Sequence, residues 1–298
     1  MYTYIMVAFI AFFCESIDSS LGMGYGTLLT PILLLMGFQP LEIIPLILMS
    51  EFITGVLAAL LHHRKGNVNL SIGSQASKIA IILISCSILG TIFASYVAFS
   101  INPIIIKFYI SVLLLAIGFT AYITSNIIYR FSWSRVFALG LLASFNKGIS
   151  GGGYGPVITG GQMLSGINSK SSIAITSLTE GFTCLIGIIT FMSLKGLNID
   201  IYLGLALLSG AVLSIPVAVN IISIIDEKRF KKYLSFVIIS LGSVNLIILL
   251  RHITVAIHYS YIPIALLLLI LFLKLRFHKK NIINIEQQYH LNEASEIE

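Results

Sequence analysis

The chain is a succession of apolar stretches joined by short polar links. They run at about 2–20, 27–37, 40–62, 75–99, 103–128, 134–149, 156–166, 170–193, 200–225, 232–250 and 253–275. A helix needs about 20 apolar residues to cross a bilayer core, and no domain in water buries so many such runs together. With 57% hydrophobic and 10% charged residues, the sequence reads as an all-α integral membrane protein of about 8–10 membrane segments. Soluble-enzyme, nucleic-acid-binding and scaffold roles are disfavoured. A single transmembrane domain is expected over 1–277, followed by a disordered polar tail at 278–298. Met1 to Phe13 carry no Lys or Arg and no A-x-A site precedes Glu15, so the N-terminus is expected to be the first helix and not a cleaved signal. Cys14, Cys86 and Cys184 lie inside apolar runs and read as packing residues; no metal or other cofactor is expected.

Two stretches, 27–37 and 156–166, have only eleven residues, about half a bilayer core. Each follows a glycine cluster, and the clusters superpose. Gly22-Met23-Gly24-Tyr25-Gly26 falls on Gly151-Gly152-Gly153-Tyr154-Gly155 at a spacing of 129 residues, which also places Thr30 on Thr159, Glu51 on Glu180 and Thr54 on Thr183. Later the spacing slips to 124, where Lys107 to Ser111 matches Lys231 to Ser235. The repeats cover roughly 12–128 and 141–250, leaving 253–275 as an extra helix.

The net charge of +6 reads as basic residues held in cytoplasmic loops, not as a nucleic-acid signature. With a cytoplasmic C-terminus, 62–78, 129–135, 166–170 and 226–232 fall on that side, which together with Lys274, Arg276, Lys279 and Lys280 collects fourteen of eighteen Lys and Arg. The span 40–62 then runs inward and its partner 170–193 outward, so the repeats are inverted, the arrangement of secondary transporters. This layout takes 2–37 and 134–166 each to enter and return. The expected location is the plasma membrane, as a multi-pass protein.

Glycine clusters expose backbone N–H groups, and a half-helix after them adds the positive end of its dipole. Gly22, Gly24, Tyr25, Gly26, Gly151, Gly152, Gly153, Tyr154 and Gly155 are therefore candidate substrate-binding residues for an anion. Pro156 suits the first helical position, with Thr27 its counterpart, and Ser19, Ser20 and Ser150 are further donors within reach. The same Gly22/Gly26 and Gly151/Gly155 spacing also suits plain helix packing. Glu51 and Glu180 lie near the middle of their spans, where a carboxylate marks an ion pathway or proton relay or a structural hydrogen bond. Asp18 falls on Lys147 at the repeat spacing, an acid opposite a base, which suggests an ion pair between the glycine loops; Lys147 is also a candidate substrate contact and Asp18 a candidate coupling group. Glu15 has no such symmetry. His62, His63, Arg64 and Lys65 read as a basic anchor at a span end, and Pro216 as a kink.

These motifs resemble the sulfite exporter TauE/SafE family of membrane permeases, over about 10–250. The resemblance rests on Leu21-Gly22-Met23-Gly24-Tyr25-Gly26 with Pro31 and on Ser150-Gly151-Gly152-Gly153-Tyr154-Gly155-Pro156. Met23, and Gly160 where the first repeat has Pro31, depart from the glycine-richer pattern. The resemblance implies transport of a small sulfur-containing or organic anion, such as sulfite or a sulfonate, the expected partners being that anion and membrane lipid, with a homo-oligomer compatible and nucleic acid not expected. Two other readings stand beside it. A cation or metal-ion permease would use Glu51, Glu180 and Asp18. An intramembrane serine protease would use Ser150 in Gly148-Ile149-Ser150-Gly151, but of six histidines only His258 lies inside an apolar run.

Overall fold

The computed structural model describes residues 2–123, 131–165, 167–195, 200–221 and 227–253. Among them the chain forms helices and no strand: α1 (Tyr2–Leu21), α2 (Tyr25–Leu35), α3 (Pro40–Arg64), α4 (Gln75–Ser100), α5 (Pro103–Ile123), α6 (Trp133–Ser150), α7 (Tyr154–Leu164), α8 (Ser169–Lys195), α9 (Ile201–Ile221) and α10 (Glu227–Ile253). The chain divides into a unit Met1–Leu246, to which everything below refers, and a second unit Ile247–Glu298. The anticipated helix 253–275 and the tail 278–298 lie outside the described residues, apart from Ile253, as do His258 and Arg130.

Among the described residues six helices are long and apolar enough to cross a membrane: α1, α3, α4, α8, and the stretches Pro103–Thr120 and Ile201–Asn220. The protein is a multi-pass membrane protein. Their outward faces carry Ile5, Phe9 and Phe13 on α1 and Ile81, Leu89 and Phe93 on α4, all exposed, as contact with lipid tails requires. Polar links end the helices. Gln39 and Glu42 form a capping box at the start of α3, beside Pro40, and the Ser74 hydroxyl accepts the Ser77 N–H at the start of α4.

The two short helices begin two residues earlier than the sequence suggests, at Tyr25 and Tyr154. Pro156 is thus the third helical residue and not the first. It remains in the first turn, where an absent N–H removes no intrahelical bond. Both breaks have one design. Gly22 and Gly151 have φ of 67° and 70°, and their N–H groups donate to the carbonyls of Asp18 at 2.6 Å and Lys147 at 2.9 Å. This is a left-handed helix stop that suits glycine.

Side-chain contacts fix directions. Thr54 on α3 meets Glu15 on α1, and His62 meets the Ser19 carbonyl, so α1 ascends beside α3. Helix α2 starts at the level of Glu51 and leads back to Pro40. The stretch 2–37 therefore folds back on itself with unequal arms, a full-length α1 and a half-length α2. Helices α3 and α8 cross antiparallel: Gly187 faces Leu48, Gly181 faces Phe52 and Val56, and Gly55 faces Ser177. A Cβ on Gly55 would lie 2.6 Å from the Ser177 carbonyl, so the small residues let these backbones touch. Helix α1 packs along α9 and α4 along α6; exchanging the first and fourth helices of the two halves maps one pair onto the other.

Candidate functional site

The two glycine breaks meet in the protein interior. A Cβ on Gly152 would fall 2.6 Å from the Gly26 carbonyl, and one on Gly155 would fall 2.5 Å from that of Gly22. The loops are thus in direct backbone contact, at positions where only glycine leaves room. Hydrogen bonds sew them together. The Gly153 N–H donates to the Thr27 hydroxyl at 3.1 Å, and the Thr159 hydroxyl donates to the Gly22 carbonyl at 2.7 Å. Thr176, 2.9 Å from Thr159, then donates to the Thr159 oxygen and accepts from Gln162 Nε2 at 3.4 Å.

Beside the crossing lies a buried charge cluster. Lys147, at 0% exposure, reaches from α6 to both acids of the crossed helices. It pairs with Glu51 Oε2 and with Glu180 Oε1 at 2.7 Å. The close α3–α8 approach places those acids near enough to share one ammonium. Glu51 Oε1 accepts the Gly26 N–H at 3.2 Å, and the Cys184 thiol lies 3.7 Å from Glu51 Oε2. Glu180 Oε2 is buried without a hydrogen-bond partner. Removing one member of such a group strands a buried charge at a cost of about 3–5 kcal/mol.

Asp18 does not form the ion pair with Lys147 that the repeat suggested. Its Oδ1 instead accepts the Tyr25 N–H at 3.3 Å. The helix start of α2, a ready anion site, is therefore occupied by two of the protein's own carboxyls, Asp18 on Tyr25 and Glu51 on Gly26. In the other half the equivalent of Asp18 is a lysine, and the acid equivalent to Glu51 turns to that lysine.

Most of the hydroxyls expected to serve a ligand are committed elsewhere. Ser19 donates to Glu15 Oε1 at 2.6 Å, Ser20 to the Ser16 carbonyl at 2.6 Å, and Ser150 to the Asn146 carbonyl at 2.6 Å. The Tyr25 hydroxyl shares a 2.7 Å bond with Ser50. This geometry gives Ser150 no base among these partners. Glu15 emerges as a further buried acid, accepting from Ser19 and from Thr54 at 3.2 Å. Its place three residues before Asp18, one face along the same helix, was the available signal. His62 is not a surface anchor. It is fully buried; Asn67 Nδ2 donates to its Nδ1 at 2.9 Å, so Nε2 carries the proton and donates to the Ser19 carbonyl at 3.1 Å. No group of three His, Cys, Asp or Glu among the described residues is placed to hold a metal ion.

A gap of about 10 Å³ beside the loops, bounded by Thr27, Thr30, Gly152, Gly153 and the α5 residues Ile110 and Leu113, has room for about one water. A larger cavity of about 520 Å³ opens where the α3–α4 link meets the start of α8, lined by Asn69, Ser74, Gln75, Asn168 and Ser171.

The model of the family described as sulfite exporter TauE/SafE matches residues 7–245. A curated relative, the probable membrane transporter protein YtnM of Bacillus subtilis (strain 168), is 26% identical over 72% of this chain and 73% of its own. No solved structure matches.

Proposed function

The chain belongs to the sulfite exporter TauE/SafE family of membrane transporters, and from that premise we propose that it is a secondary permease for a small anion such as sulfite or a sulfonate, ion-coupled and working by alternating access in the plasma membrane. The observation that carries this reading is the fully buried Lys147 beside two crossed glycine loops. An ammonium in the membrane interior, shared by two carboxylates next to half-helix starts, can hold one compact anion when a carboxylate gives way. Glu51, Glu180 and Asp18 are the coupling groups, and Gly22 to Gly26 with Gly151 to Gly155 form the cradle. The antiparallel crossing of α3 and α8 supports inverted repeats. The 520 Å³ cavity lies among links that the basic-residue count assigns to the cytoplasm, together with the C-terminus, and serves as the vestibule on that side.

A second reading is favoured by one observation: among the described residues four acids, Glu15, Asp18, Glu51 and Glu180, are buried against one buried lysine, Lys147, which pairs with only two of them. On that reading the cargo is a cation.

Counterflow in proteoliposomes separates the two. Purified protein is expected to accumulate labelled sulfite or a sulfonate, with competition by other oxyanions and none by divalent cations. Competition by divalent cations alone, without anion uptake, sinks the anion reading.

A further inference from the structure

We infer that the Glu51 carboxylate is an internal anion holding the substrate's place, so that substrate enters only when Glu51 takes up a proton and lets go. The inference rests on the anion reading above. Its geometry is specific to one half of the molecule. Glu51 spans Lys147 and the Gly26 N–H at the start of α2, the two attractions that reading assigns to a bound anion. Glu180 holds Lys147 alone through Oε1, its other oxygen buried without a partner. The site as it stands is therefore filled and shut, with room for about one water beside it.

Charge counting sets the exchange. Lys147, Glu51 and Glu180 together carry one net negative charge when all are ionised. A monovalent anion added to them would leave two uncompensated charges in the membrane interior, where even one is costly. One proton on Glu51 restores the original balance, turns its carboxylate into a neutral acid and frees both the ammonium and the Gly26 N–H. The groups facing Glu51 are Lys147 on α6, Glu180 and Cys184 on α8, Glu15 and Asp18 on α1 and Tyr25 on α2. Helix α9, which also packs on α3, brings no titratable side chain to this level. Among these facing groups Glu51 is the acid that holds a half-helix N–H through one oxygen and the ammonium through the other. Proton and anion then travel as one load, one proton for each negative charge.

The test is calorimetric binding of methanesulfonate, isethionate and sulfoacetate to purified full-length protein, at several pH values and in two buffers of different ionisation enthalpy. Sulfonates stay ionised throughout, so a pH effect cannot come from their sulfonate group. For methanesulfonate or isethionate the wild type is expected to take up one proton per anion, with affinity rising about tenfold for each unit the pH falls. Glu51→Gln is expected to bind the same anion without proton uptake and without pH dependence, and Glu180→Gln to keep the proton uptake. Wild-type binding with no proton uptake overturns the inference while leaving the anion reading in place, and needs no variant to fold. Absence of binding of all three anions to wild type and Glu51→Gln alike removes both.

Discussion

Asp18 and Lys147 occupy equivalent places, each four residues before the glycine that stops its helix and each giving its backbone carbonyl to that glycine, yet their side chains take opposite charges to different tasks. Asp18 turns to the N–H of Tyr25 on its own half. Lys147 crosses to Glu51 of the other half and also pairs with Glu180 of its own. A shared backbone design thus carries a lysine-centred cluster on one side only.

The cluster makes a stability prediction that separates charge pairing from packing. Lys147→Met leaves Glu51 and Glu180 facing each other in the interior and is expected to cost about 3–5 kcal/mol, seen as loss of monodisperse protein in fluorescence-detected size exclusion. The triple variant Lys147→Met, Glu51→Gln, Glu180→Gln is expected to recover the fold and remain inactive in transport. A single variant as stable as wild type would show that the cluster is not held by charge.

The loop crossing predicts a contrast between glycines. Gly152→Ala puts a methyl group 2.6 Å from the Gly26 carbonyl, and the two backbones must separate; a loss of about 1–3 kcal/mol and abolished transport are expected. Gly160→Ala, with nothing within 4 Å of the added carbon, is expected to leave thermal stability and transport near wild type. Equal thermal shifts for the two would refute direct loop contact.

Thr30 and Thr159 are equivalent in the repeat but not in their bonding. Thr159 ties Gly22 to Thr176, whereas the Thr30 hydroxyl is buried without a partner. Thr159→Val is expected to cost about 1–3 kcal/mol by stranding the Gly22 carbonyl. Thr30→Val removes only an orphaned polar atom and is expected to be neutral or stabilising. The order of melting temperatures among the two variants and wild type checks this.

Outside the membrane-spanning segments, Asp200 accepts the N–H groups of Tyr202 and Leu203 at the start of α9 and the hydroxyl of Tyr4. The Leu203 N–H, first among these, holds its carboxyl below the usual carboxylate range. A carboxyl depressed in the folded state contributes stability above its unfolded range and loses it as pH falls through the folded one. Asp200→Ala is expected to lower the melting temperature by about 2 °C at neutral pH, with the difference from wild type shrinking in acid. A difference that grows in acid would refute the cap.

Much of this architecture was legible in the chain itself. Apolar runs of spanning length demand helices, because backbone groups in lipid must bond within their own segment. The glycine pairs marked the breaks to within two residues, since positive φ at Gly22 and Gly151 is a local demand. The spacing of 129 residues also singled out Glu51, Glu180, Asp18 and Lys147, all of them buried. Which of them meet was not legible. Lys147 joins Glu51 rather than Asp18 because Gly55 and Gly181 let α3 and α8 touch, and His62 and Glu15 became interior residues through the path of α1 beside α3. The sequence by itself determined the membrane, the helices and the places where they break, all properties of short stretches of chain. Only the tertiary structure decided that the start of α2 is filled by Asp18 and Glu51, because that depends on distances between helices that local chemistry does not set.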